Sequence, residues 1–155
     1  EGFEDSTRFY GPAMTTAQVY EGEYAYVSPQ EFCTLVEKQS LSELGGKWLK
    51  AGLMAYMEPG SVPGNRDYTA SLIVELYDEN GERKRSRSIH ISPHLGNNDG
   101  NIWTPGYPGT WGEASFFIKL PNKVKNGWTA KVYINNWPKQ LVYLDDFKLE
   151  AYQDE

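Results

Sequence analysis

The chain has one cysteine, two histidines and no apolar run near the roughly twenty residues that cross a bilayer. A lone cysteine excludes an intrachain disulfide framework. In "EFCTLVEK" Cys33 alternates with apolar neighbours, which predicts a buried, inert thiol. His90, His94 and one Cys supply too few ligands for a transition-metal centre. Helical periodicity is nearly absent: "SLSELGGK", residues 40 to 47, supports one turn, capped by Ser40 and stopped by the Gly pair.

The motifs of several enzyme classes are missing too. There is no G-x-S-x-G elbow, H-E-x-x-H, C-x-x-C or phosphate loop. A retaining glycosidase needs two carboxylates about 5 Å apart. No E-x-D-x-x-E run provides them, and the acids of "DDFKLE" scatter between strand faces. His90 with Tyr77 and Arg87 is the one trace of a lyase-like trio, and alternation turns Arg87 away from His90. The expectation is a protein that is not an enzyme.

Charge narrows the partners. Net charge is −6, with pI about 5.0, so a phosphate backbone is repelled on average and nucleic acid is not an expected partner. The one basic run, "RKRSR" at 83 to 87, is read as a solvated strand end.

What is present is alternation of period two, the pattern of half-buried strands. In "DYTASLIVELYDENGERKRSRSIHIS" Asn80-Gly81 predicts a two-residue type I′ hairpin. Ala70, Leu72 and Val74 then face with Ile89 and Ile91, while Ser71, Glu75, Tyr77, Ser88 and His90 face away. Leu49, Ala51, Leu53, Ala55 and Met57 share one face of "KWLKAGLMAYME", and Ala130, Val132 and Ile134 oppose Lys131, Tyr133 and Asn135. Eight or nine such strands with Gly, Pro and Asn punctuation, no repeats and no linker predict an all-β, antiparallel two-sheet jelly-roll sandwich, one domain over 1–155.

Four stretches carry a family resemblance: the opening "GFED", the segment "YEGEYAYVS", the middle "GTWGEASFFIKLP" and the closing "VYLDDFKLEAY". Together they resemble β-jelly-roll carbohydrate-binding modules and their galactose-binding-like relatives. They are similar as well to jelly-roll domains appended to bacterial surface and membrane-enzyme proteins. The resemblance implies a non-catalytic module that binds a polysaccharide or glycan, without membrane insertion. It also implies an extracellular, cell-surface or periplasmic location and other domains in a larger chain. No signal peptide opens the chain, so a trimmed leader or an excised domain is expected. A structural Ca²⁺ is implied at Glu4 and Asp145, with backbone oxygens near Gly22 and Glu23. The alternative expectation is a structural or protein-interaction sandwich without a sugar site.

Sugar rings lie against aromatic planes while their hydroxyls exchange hydrogen bonds with amides and donate them to carboxylates. Two regions offer that combination. The first is the segment "GNNDGNIWTPGYPG", too rich in Gly and Pro for a strand, where Trp103 and Tyr107 supply rings and Asn97, Asn98 and Asp99 supply polar groups. The second is a platform on the polar sheet face, formed by Tyr56, Glu75, Tyr77, His90, Tyr133, Asn135 and Trp137 if their strands are neighbours. Trp111, at the family's "G-x-W" strand start, and Trp128 are assigned to packing; Trp48 is assigned to neither role.

Overall fold

The computed structural model describes residues 14–15, 20, 25–28, 32–44, 47–59, 70–97, 108–121, 124, 126–136 and 141–153. Among the described residues, nine strands form two antiparallel sheets: β1 (Met14–Thr15), β2 (Ala25–Ser28), β3 (Phe32–Ser40), β4 (Trp48–Tyr56), β5 (Ser71–Tyr77), β6 (Arg83–His90), β7 (Gly112–Lys119), β8 (Thr129–Asn135) and β9 (Val142–Tyr152). One sheet has the order β1-β2-β9-β4-β7 and the other β3-β8-β5-β6. The all-β sandwich expected from alternation is the fold. The expected single helical turn is α1 (Leu41–Leu44), and a short 3₁₀ segment covers Ser92–Asn97.

Period two decides which side chains enter the core. In β5 Leu72, Val74 and Leu76 are fully buried, as are Ala130, Val132 and Ile134 in β8. From the opposite sheet they meet Leu49, Ala51, Leu53 and Ala55 of β4, Ala114 of β7 and Leu144 of β9. Each large aliphatic side chain withdrawn from water contributes about 1.5–3 kcal/mol of transfer free energy, so this interface is the main driving force for closing the two layers.

The β5–β6 hairpin departs from the expected turn. Asp78 N–H bonds Glu82 O at 2.9 Å and Gly81 N–H bonds Asp78 O at 3.1 Å, which encloses a three-residue loop. Gly81 alone takes the left-handed conformation, at φ 78°, as in a type I turn closed by a glycine bulge. The Asp78 side chain selects this turn by accepting the N–H groups of Asn80 and Glu82, each at 2.9 Å. A register shift between Leu76 and Tyr77 absorbs the extra residue, so Leu72 still opposes Ile89 and Ser71 opposes His90. The turn differs from the expected type I′, and the facing of both strands is as expected.

One close approach is permitted by a missing side chain. A Cβ on Gly112 would lie 1.9 Å from His94 O and 2.7 Å from Gly96 N. Gly112 therefore lets the start of β7 pack against the backbone of the 3₁₀ segment.

Candidate functional site

The outward face of the four-stranded sheet is set by register. Across β8, β5 and β6 the rows are Asn135–Ser71–His90, Tyr133–Ile73–Ser88, Lys131–Glu75–Ser86 and Thr129–Tyr77–Arg83. Three expected platform residues, Glu75, Tyr77 and Tyr133, meet at the centre. Tyr133 O–H donates to Glu75 Oε1 at 2.5 Å, and Tyr77 O–H donates to Glu75 Oε2. Arg83 Nη1 stands 3.7 Å from Oε2, and Lys131 Nζ lies 5.5 Å from the Tyr133 ring centroid.

Glu75 is a buried carboxylate, 7% exposed, with two phenol donors. Burial pushes its pKa up, but the hydrogen bonds from Tyr133 and Tyr77 and the charges of Arg83 and Lys131 outweigh that and hold it below the usual carboxylate range. Tyr133 moves the other way. Burial and the anion it bonds push its hydroxyl up to about 12, and Tyr77 is raised first by its bond to Glu75. The result is a fixed anion held between two neutral phenols with a cation at the edge. Chemically it can position ring faces and present hydroxyls and a guanidinium to a polar ligand.

The remaining expected residues are placed differently. His90 shares the face, with Nδ1 3.2 Å from Ser71 Oγ, but it opposes Ser71, four residues from Glu75, or about 13 Å along the strand. Asn135 lies in that same distant row. Tyr56 is not on this face at all: it belongs to β4 in the other sheet, 8% exposed, with its ring 5.3 Å from Trp111 and 6.2 Å from Tyr143. Its alternation was read correctly, but the sheet to which β4 belongs depends on long-range pairing. Trp111, expected in the core, packs instead on the outward side of the five-stranded sheet against Tyr56 and Tyr20 (5.7 Å), half-buried rather than between the layers. Trp128 packs against the central core.

Asp145, expected at a cation site, is fully buried. Its Oδ2 accepts Tyr20 N–H at 2.9 Å and its Oδ1 accepts Asp146 N–H at 2.7 Å. Asp146 sits in a left-handed conformation at φ 48°, beside the irregularity where β9 shifts register against β4. No group of three or more metal-binding side chains occurs among the described residues. Glu4, Glu23, Asn98, Asp99, Trp103, Tyr107 and Trp137, and the side chains of Cys33 and Asn97, lie outside the described residues.

Sequence reasoning missed a set of contacts at the sandwich edge. Arg85 Nη1 donates to Lys119 O at 2.8 Å and Arg87 Nη1 donates to Phe117 O. Two arginines of edge strand β6 thus reach across to the carbonyls of edge strand β7. The signal was available: Arg85 and Arg87 oppose Leu76 and Val74, so alternation turns them inward, a known device for protecting sheet edges.

This architecture defines an all-β sandwich with an aromatic and carboxylate cluster on one outward sheet face. Known structures share the fold. The chain is similar to the CBM22-1 xylan-binding domain of Paenibacillus barcinonensis Xyn10C, at TM-score 0.53 and 14% identity over 92% of this chain and 81% of that one. It is similar to part of an arabinose-bound GH51 α-L-arabinofuranosidase (TM-score 0.53, 11% identity, 93% of this chain and 23% of that one). A third match is the enzymatically active domain of tailspike protein 4 from bacteriophage CBA120 (TM-score 0.54, 11% identity, 96% and 20%). No family model and no curated protein matches the sequence.

Proposed function

We propose that this chain is a non-catalytic carbohydrate-binding domain whose sugar site is the outward face of the four-stranded sheet around Glu75, Tyr77 and Tyr133. The observation that carries the reading is the bonding of both Glu75 oxygens by the two phenols. Hydroxyl-bonding groups and ring faces are then held rigid before a ligand arrives, which lowers the entropy lost on binding. The engaged carboxylate suits positioning better than proton transfer. Stacking with a few hydrogen bonds gives weak affinity, on the order of micromolar to millimolar.

The similarity to a xylan-binding domain supports a plant-type polysaccharide as the first ligand to try. Two of the similar structures hold the matching fold as about a fifth to a quarter of a longer chain. That supports an accessory domain of a longer chain. We place a structural Ca²⁺ at Asp145 with Glu4 and the Glu23 region, tying the last strand to the first part of the chain; oxygen ligands from distant segments suit such a cation.

Affinity electrophoresis through gels containing xylan and other neutral polysaccharides tests the reading. Retardation that is lost in Glu75→Ala and Tyr133→Ala, with melting still cooperative, is the expected result. Equal mobility of wild type and variants in every gel overturns it and favours a structural or protein-interaction sandwich.

A further inference from the structure

We infer that the seam between edge strands β6 and β7 is a second binding site, for an anionic polysaccharide bearing carboxylate or sulfate groups along its length. The seam runs against the charge of the molecule. The chain carries 21 Asp and Glu against 15 Lys and Arg, yet β6 contributes Arg83, Lys84, Arg85 and Arg87 without one carboxylate, and β7 adds Lys119.

Most cations of a protein with excess acid find carboxylate partners, and several here do. Arg83 stands by Glu75, Lys84 by Asp78 and Glu82, and Lys50 by Glu113. Arg85, Arg87 and Lys119 make no ion pair among the described residues. Arg85 and Arg87 are anchored instead to neutral backbone oxygens of Lys119 and Phe117, and the Lys119 ammonium lies 5.6 Å from the Trp48 ring centroid. All three residues are exposed.

Those anchors make the seam more than a solvated charge run. A guanidinium has five N–H donors in a rigid fork; one held by a carbonyl is fixed in place while the others stay available to an oxyanion. The two anchoring carbonyls are two residues apart on β7, so the forks repeat at about 7 Å along a straight edge. A linear array of fixed cations matches a polymer with charge repeated along its backbone better than one small anion. Arginine forks suit planar carboxylate and sulfate groups.

The choice of a saccharide rests on the proposed function; the choice of its charge rests on the seam alone. The test therefore has separate arms. Retention of the full chain is measured on immobilised polygalacturonate, heparin, neutral xylan and single-stranded DNA over a salt gradient. Expected are elution from polygalacturonate or heparin at clearly higher salt than from DNA, and about tenfold weaker binding in Arg85→Gln/Arg87→Gln. Neutral xylan retention should be unchanged by that double variant. Lys119→Gln, whose side chain bonds no backbone group, should weaken acidic-polymer binding by a few-fold and keeps the test decisive if the arginine variant misfolds. Loss of neutral binding alone sinks the first proposal and leaves this one standing. This one is overturned if no acidic polysaccharide is held at low salt, if the arginine and lysine variants elute with wild type, or if DNA is held as tightly.

Discussion

Tyr133 and Glu75 stand 58 residues apart in sequence, yet on adjacent strands the Tyr133 hydroxyl donates to the Glu75 carboxylate at 2.5 Å. Sheet pairing, not local sequence, makes this contact, and it fixes the centre of the proposed sugar site. Tyr133→Phe should destabilise the fold by about 1.5–3 kcal/mol, the usual contribution of a hydrogen bond to a charged group. Chemical denaturation with unchanged m-value checks it. Glu75→Gln, which keeps shape but loses charge, should weaken sugar binding more than it lowers stability.

The same pair predicts both limbs of the stability profile. The folded-state pKa of Glu75 is depressed, so its contribution is present above the unfolded pKa and lost as pH falls from about 4.5 through the folded value. Tyr133 is raised to about 12, so its contribution is complete below about pH 10 and lost as pH rises from 10 to 12. Thermal melts across pH should show an acid limb flattened in Glu75→Gln and an alkaline limb flattened in Tyr133→Phe. Wild-type limbs in both variants would contradict the assignment.

Gly112→Ala should be severely destabilising. The added methyl carbon meets His94 O at 1.9 Å and Gly96 N at 2.7 Å, and backbone atoms cannot rotate aside as a side-chain end can. A loss of more than about 3 kcal/mol is expected, in the range of strong overpacking. Circular dichroism melts measure it.

Calcium at Asp145 predicts a ligand effect on melting. A cation bound to the native state alone stabilises it by mass action, so EDTA should lower Tm by several degrees and added Ca²⁺ should restore it. Asp145→Asn should abolish the response. An identical melt with and without chelator removes the ion from the account.

Alternation in the sequence was sufficient for the all-β class and for the inward or outward facing of Leu72, Glu75, Val132 and Tyr133. The reason is local: successive side chains on a strand must point to opposite faces, and burial selects the apolar set. Alternation carries no information about which strands are neighbours. Tyr56 and Glu75 were grouped on one platform from their facing, whereas pairing of β4 with β7 and β9 puts Tyr56 in the other layer. Pairing of β5 with β8 brought Tyr133 to Glu75. The run 83–87 is exposed, as expected, and the packing of edge β6 across edge β7 adds the anchoring of Arg85 and Arg87 to backbone carbonyls. Strand identity and facing are properties of a few consecutive residues; the cluster and the cationic seam exist because distant strands close against each other, and that closure is decided by the summed burial of both layers.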